Sequence, residues 1–165
     1  FTDGESTLEE VINLVETSLP SFLVSNVDVI YVGDFLEFHE RDTNAAFENG
    51  AIYVINVQDN AMDMADDIIH EIAHSVEETF YDEIYGDQRL EREFTGKSEY
   101  LYTQVGYPNL STYANGLFYS PYSVTSTREY FAKGFEAFFL YKDLKTLANI
   151  SPILYNKIET LAEME

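Results

Sequence analysis

Ile68-Ile69-His70-Glu71-Ile72-Ala73-His74-Ser75-Val76 is a short segment that contains two of the three histidines of this chain. On an α-helix, residues four apart lie about 40° from each other and one turn along, so His70 and His74 can present both imidazoles to one metal ion. Glu71 falls on the same side of such a helix, where its carboxylate can act as a general base. The pattern H-E-x-x-H therefore predicts a zinc site built on a helix.

The residues around this motif have the pattern of a helix that runs from about residue 62 to residue 80. Its apolar stripe, on the side opposite the histidines, consists of Ile69, Ile72, Val76 and Phe80. Glu78 lies one turn beyond His74 and is either a carboxylate that orients a metal ligand or a solvated side chain. The solvated interpretation is the favoured one.

Composition indicates one globular domain. The chain has 165 residues, of which 45% are hydrophobic and 15% aromatic, enough to bury a substantial core. The first residue is Phe1 rather than Met, which suggests a piece excised or processed from a longer protein. No apolar run approaches the roughly 18 residues of a membrane span, so we expect a soluble chain. The absence of cysteine excludes disulfides, a thiol nucleophile and cysteine-ligated zinc.

The charge of the chain restricts its partners. Thirty acidic residues against nine basic ones give a net charge of −21, which repels nucleic-acid phosphates and anionic lipids and favours cationic partners. Two interpretations remain open: a protein that mimics DNA with its carboxylates, or a solvated acidic surface. The second is favoured, because the acidic residues are scattered through amphipathic patterns.

The N-terminal half predicts one helix and two strands before the metal helix. A capping box at residues 7–10 opens a helix that ends near Pro20, and strands are predicted at residues 27–32 and 51–57. The polar stretch between them, residues 37–50, contains His39, which we expect to be a solvated loop residue rather than a ligand. If the second strand lies at a sheet edge, it can pair with an extended peptide substrate. The residues that would do so are Ile52, Tyr53 and Val54.

The C-terminal half predicts three helices and one long loop. A helix is expected at residues 90–105 with an interruption at Gly96, followed by an irregular connection at residues 108–121. That loop is a candidate wall of a substrate cleft, with tyrosines 107, 113 and 119, or else a mobile insertion. Ser126 caps a helix that extends to Leu140. Ser151 and Pro152 open the last helix, with the serine as N-cap.

Two motifs resemble a known family. H-E-I-A-H at residues 70–74 and E-Y-F-A-K-G-F-E-A-F-F at residues 129–139 are similar to motifs of the gluzincin peptidases of the anthrax lethal factor type, which include the Pro-Pro endopeptidases. The resemblance covers residues 51–165. It implies an α+β fold, a mainly helical zincin-like domain with a small β-sheet packed beside the H-E-x-x-H helix. It also implies a single such domain over residues 1–165 and a secreted protein.

The resemblance implies a zinc endopeptidase that acts on a peptide or protein substrate. In that family the first Glu of the second motif is the third zinc ligand, and the matching residue is Glu129. A tyrosine seven positions earlier stabilises the oxyanion, and the matching residue is Tyr122. One Zn²⁺ per chain would then be held by His70, His74 and Glu129, with Glu71 as general base on a metal-activated water.

One departure from the family pattern concerns the residue four positions after Glu129. The family has a glutamate there, whereas this chain has Lys133. Glu136 or Glu78 is a candidate replacement for that carboxylate. The lysine keeps open the alternative of a catalytically silent zinc-binding relative, and the charge keeps open that of an acidic protein-interaction module of the DNA-mimic type.

Overall fold

The computed structural model describes residues 8–101, 118 and 121–164, with Pro121 and Tyr122 described by their backbone only. Two compact units divide the chain, Phe1–Thr79 and Phe80–Glu165, here called unit 1 and unit 2. Helices predominate and the strands form one small mixed sheet, which confirms the prediction of a mainly helical α+β fold. That the whole chain is a single domain stays a prediction.

Unit 1 combines the sheet with the longest described helix. Its elements are α1 (Leu8–Ser18), a 3₁₀ turn (Ser21–Val24), β1 (Val29–Gly33), α2 (Leu36–Arg41), β2 (Ala45–Glu48), β3 (Ala51–Ile55) and α3 (Ala61–Thr79). Helix α3 packs on β2 and β3 and also on α1. The predicted packing of the small sheet beside the H-E-x-x-H helix is thus confirmed.

The strand order of the sheet is β1-β3-β2, with β1 parallel and β2 antiparallel to β3. Side chains alternate between the two faces of a strand. Ile52 and Val54 are fully buried. Tyr53, on the opposite face, stacks on Tyr31 with ring centroids 5.2 Å apart and meets Phe35 edge-on. In β1 and β3, one face therefore carries the aliphatic partners of Ile52 and Val54, and the stacked pair Tyr31 and Tyr53 lies on the other.

The condition under which the second predicted strand could pair with a substrate, an edge position in the sheet, is not met. Strand β3 is central and pairs with a neighbour on each side, so the backbone of Ile52, Tyr53 and Val54 is already committed to the ladder and cannot pair with a substrate. The reason lies in the polar stretch before it, which contains an unpredicted strand, β2, and an unpredicted helix, α2. The turn between β2 and β3 places both Asn49 and Gly50 at positive φ, at 51° and 79°, as a tight two-residue hairpin requires.

Unit 2 is helical in its described residues. It contains α4 (Tyr81–Tyr85), α5 (Arg89–Tyr100), a 3₁₀ turn (Pro121–Val124), α6 (Thr127–Phe139), α7 (Leu144–Ile150) and α8 (Pro152–Glu163). Helices α5, α6 and α8 pack against one another. Helices α4 and α7 were not predicted. The proposed loop at residues 108–121 and its three tyrosines lie outside the described residues, apart from Phe118 and the backbone of Pro121.

A buried polar cluster joins the three long helices of unit 2. Lys97 on α5 donates to the hydroxyl of Tyr130 at 2.8 Å and to Ser151 Oγ at 2.7 Å. Tyr130 in turn donates to the carboxylate of Glu93 at 2.6 Å. Burial lowers the pKa of Lys97 to about 8, and burial together with the negative charge of Glu93 raises the pKa of Tyr130.

This cluster corrects the predicted cap of the last helix. Ser151 occupies the N-cap position and Pro152 the first turn, as predicted, but the serine side chain makes no capping hydrogen bond. Its hydroxyl is used by Lys97 and Tyr130 instead. The backbone N–H groups of Ile153 and Leu154 donate to the carboxylate of Glu93, at 2.8 and 3.2 Å. A residue from another helix therefore satisfies the helix start.

The predicted interruption at Gly96 is also wrong. Helix α5 continues through Gly96 to Tyr100, because one glycine costs only about 1 kcal/mol and tertiary contacts on both sides of it, through Glu93 and Lys97, hold the helix.

Across the described ranges, helix lengths and hydropathies stay below what a membrane crossing requires.

Candidate metal centre

His70 and His74 lie on one uninterrupted helix, as predicted. Helix α3 spans Ala61–Thr79, within one residue of the expected limits. The two imidazole rings meet edge to face with centroids 4.9 Å apart, and one ligand nitrogen from each lies within 4.8 Å of the other. This is the arrangement expected for side chains four residues apart on one helix face. The local helical geometry thus brings the two histidines together.

Helix α3 is buried on more than its apolar stripe, since several residues near the two histidines are also shielded from solvent. Three members of the predicted stripe, Ile69, Ile72 and Val76, are buried, whereas Phe80 lies just beyond the end of α3 and is half-buried. On other sides of α3, His74 is only 4% exposed and Ser75 is fully buried, while His70 and Glu71 are half-buried. Histidine and glutamate at such positions are shielded from bulk water, which strengthens their electrostatic interactions.

Glu77 is a buried carboxylate of α3 that sequence reasoning missed. Its side chain is 8% exposed, whereas Glu78, which was singled out as a candidate, is exposed. At about 100° per residue, Glu77 lies about 20° from His70 around the helix axis and Glu78 about 80°. Counting the angle from both histidines, rather than spacing from His74 alone, would have identified Glu77. The exposure of Glu78 agrees with the solvated interpretation that was favoured for it.

Glu129 lies in the first turn of α6, where a serine cap fixes its backbone. The hydroxyl of Ser126 accepts the N–H of Glu129 at 3.1 Å, which confirms the predicted N-cap. The next two residues, Tyr130 and Phe131, are fully buried, and the carboxylate of Glu129 is half-buried. The start of α6 thus holds this side chain on a well-anchored backbone.

Tyr122 belongs to the 3₁₀ turn Pro121–Val124, which ends three residues before Thr127, the first residue of α6. Its side chain lies outside the described part of the structure, so its expected role with the oxyanion stays a prediction.

Lys133, the residue that departs from the family pattern, pairs with a carboxylate of its own helix. Lys133 Nζ lies 3.2 Å from the carboxylate of Glu136, three residues further along α6. Glu136 is only 2% exposed, and a buried carboxylate is unfavourable without a hydrogen-bonded partner. The lysine therefore has a clear structural function within its own helix. The suggested role of Glu136 near the metal stays a prediction.

His39 is exposed, as expected, but it lies on α2 rather than in a loop. Its Nε2 is hydrogen-bonded to the carboxylate of Asp34, and more than half of each side chain is accessible to solvent. His39 therefore belongs to a different helix from the other two histidines, which lie on α3.

No protein-family model matches the sequence, and no match was found among curated proteins or among solved structures. The functional interpretation therefore rests on the residues themselves.

Proposed function

We propose that this chain is a zinc-dependent endopeptidase of the gluzincin type, with His70, His74 and Glu129 as zinc ligands. The observation that carries the proposal is the histidine pair of α3, with ring centroids 4.9 Å apart on a continuous helix. A motif of this kind is informative only when its helical context is present. The resemblance of residues 129–139 to the second family motif supports Glu129 as the third ligand, and by the same resemblance we expect a secreted enzyme.

The donor set fits zinc. Two imidazole nitrogens and one carboxylate oxygen are ligand types that Zn²⁺ prefers, and three protein ligands are characteristic of catalytic sites, which keep one position open. In this proposal each of His70, His74 and Glu129 offers one ligand atom to a single metal ion. The complete absence of cysteine leaves nitrogen and oxygen donors as the strong ligands of the chain.

The chemistry follows from the groups beside these ligands. Zn²⁺ held by His70, His74 and Glu129 would supply a Lewis acid that polarises a scissile carbonyl and lowers the pKa of water. Glu71, adjacent to His70, accepts the proton of the attacking water and delivers it to the leaving amine. Tyr122, by the family resemblance, donates a hydrogen bond to the oxyanion that develops on the carbonyl. The buried side chains of α3 keep the histidines and Glu71 in a fixed orientation.

The decisive test compares Glu71→Gln with the wild-type protein. Glutamine keeps the shape of the side chain but cannot accept the proton, so peptide cleavage should fall by about 10²–10⁴-fold while zinc content stays at one per chain. Cleavage is measured by mass spectrometry on a peptide library, with and without a chelator, and zinc by elemental analysis. Glu48→Gln, at an exposed position of β2, is the control of equal charge change and should cleave normally. Cleavage that survives Glu71→Gln would show the mechanism to be wrong.

A catalytically silent relative is the second candidate, and the pairing of Lys133 with Glu136 at 3.2 Å is the observation that favours it. In that case the chain would bind one zinc but cleave no peptide of the library. Less than one zinc per chain in a metal-replete preparation would count against both candidates and would favour the acidic interaction module instead.

A further inference from the structure

Strand β1 presents an open edge. Among the described residues it pairs with β3 only, so its other side carries backbone N–H and C=O groups that no described strand takes up. Exposed edges readily pair with other chains, and proteins usually protect them with lysine, proline or a bulge. The segment Val29–Gly33 has none of these, since its sequence is V-I-Y-V-G. Its composition favours strand pairing.

The apolar side chains of β1 are incompletely covered. Ile30 and Val32 are register partners of Ile52 and Val54 and share their face of the sheet. The two β3 residues are fully buried, yet Ile30 and Val32 remain 38% and 37% exposed. On this face, the side chains of the central strand β3 are buried, whereas those of the outer strand β1 remain partly exposed. An added strand would cover these side chains, which is favourable in proportion to the apolar area removed from water.

An apolar groove adjoins this edge within unit 1. Its volume is about 610 Å³, and its walls come mainly from α1, β1 and α3, with Ile12, Ile30, Ile68 and Ile72 among its lining residues. Its charged lining residues are both acidic, Glu16 and Asp28. In recognition by strand addition, backbone pairing supplies affinity, and adjoining pockets that accept alternate side chains supply specificity. The groove and the edge together provide both elements.

The charge of unit 1 identifies the kind of partner. Residues 1–79 contain 18 Asp and Glu but a single basic residue, Arg41, a net charge of −17 out of −21 for the chain. A second copy of the same surface would be strongly repelled, whereas a cationic chain would be attracted.

We propose that the outer edge of β1 and the adjoining groove bind an extended basic peptide, one that carries β-branched side chains for the groove and Lys or Arg for the acidic surface. The site goes beyond the proposed peptidase function and does not depend on it. On α3, the groove residues Ile68 and Ile72 lie about 120–160° from the histidines around the helix axis. Binding at this surface therefore needs no metal.

The test uses a fluorescent peptide of sequence Lys-Val-Lys-Val-Lys-Val-Lys and the Glu71→Gln protein, so that cleavage cannot remove the probe. Anisotropy should report saturable binding that weakens at least about tenfold when NaCl rises from about 0.05 to about 0.5 M, because counterions screen the attraction. Nuclear magnetic resonance should show the largest amide shifts in Val29–Gly33. The Glu-Val counterpart of the peptide should not bind.

A pair of protein variants and a modified peptide distinguish binding at the edge of β1 from general electrostatic attraction. Ile30→Lys places a charge in the groove and should weaken binding at least about tenfold, whereas Val57→Lys, at an exposed position of the same unit outside the groove, alters the net charge equally and should leave binding within about twofold. A peptide N-methylated at alternate residues cannot pair along that edge and should not bind the unaltered β1. This second measurement does not depend on the folding of a variant.

Several outcomes would overturn the proposal. They are equal binding of the Glu-Val or the N-methylated peptide, equal loss in Ile30→Lys and Val57→Lys, and no binding at all. Self-association that Ile30→Lys abolishes, without peptide binding, would show that the edge pairs with a second copy instead. Failure of the peptidase proposal, through absence of zinc or of peptide cleavage in the wild-type protein, would leave this proposal unaffected, so the two proposals fail separately.

Discussion

Lys133 stabilises its own helix, independently of any effect on a metal. Its Nζ is the 3.2 Å partner of Glu136, whose carboxylate is almost fully buried. Changing one member of a buried pair leaves the other charge uncompensated, which typically costs about 3–5 kcal/mol. The identity of residue 133 is therefore constrained by α6 itself.

We predict that Lys133→Glu destabilises the protein by about 3 kcal/mol or more, since it adds a second carboxylate beside Glu136. Lys133→Gln, which also removes the positive charge beside Glu136 but adds no negative one, should cost less than the glutamate variant. Urea unfolding followed by circular dichroism measures both. A glutamate variant as stable as the wild type would show that the ion pair does not stabilise α6.

Lys97 provides a pH-dependent prediction. Its pKa is lowered from 10.5 to about 8 because it is buried, so the folded state binds this proton less well than the unfolded state. Unfolding then takes up a proton between about pH 8 and 10.5, and stability should rise with pH across that window. Below pH 8 the side chain is charged in both states and the gain is absent.

The measurement is the free energy of unfolding of the wild type minus that of Lys97→Met, at intervals from pH 7 to 10.5. The methionine variant cannot titrate at this position, so groups outside the cluster of Lys97, Tyr130 and Glu93 contribute equally to both proteins. The difference should increase with pH. A flat or falling difference would contradict a lowered lysine pKa.

Two helical glycines of unit 2 have opposite environments. A Cβ at Gly96 would meet no atom within 4 Å, whereas one at Gly134 would come within 2.4 Å of Leu154 Cδ2. Leu154 is fully buried on α8, so it has little room to move. The close approach of α6 and α8 thus depends on the missing side chain at Gly134.

We predict that Gly96→Ala stabilises the protein by about 0.5–1 kcal/mol, because alanine lowers the entropy of the unfolded chain in an open helical position. Gly134→Ala should instead destabilise it by about 1–3 kcal/mol through overpacking. The same substitution on two helices serves as its own control. Denaturant midpoints would decide, and a shift of the same sign for both variants would refute the distinction.

At the scale of the whole chain, the two units differ strongly in charge. Unit 1 has a net charge of −17, and residues 80–165 have 12 acidic against 8 basic residues, a net charge of −4. Self-repulsion of this kind destabilises a compact state and is screened by salt. The two units should therefore respond differently to ionic strength.

We predict that raising NaCl from about 0.05 to about 0.5 M stabilises unit 1 more than unit 2. Native-state hydrogen exchange reports the two separately, through the amides of α3 for unit 1 and α5 for unit 2. Slower exchange is expected mainly in α3. Greater protection of α5 than of α3 would contradict the effect of the uneven charge.

The sequence by itself determined the features that depend on local spacing. The four-residue interval from His70 to His74, the cap at Ser126 and the apolar stripe of α3 all follow from helical periodicity, which is contained in neighbouring residues. For the same reason the mainly helical α+β class and the limits of α3 were predictable. In the candidate site, the positions of both histidines and of Glu71 on one helix required nothing more.

Only the tertiary structure decided which groups satisfy one another across sequence-distant elements. The central place of β3 depends on pairing with β2, whose residues have no clear alternating pattern, and the start of α8 is bonded by Glu93, about 60 residues earlier. Glu77 and Glu136 are buried although their residue type is normally exposed. Burial and strand order result from packing between distant segments, and such packing leaves no periodic signal in the local sequence.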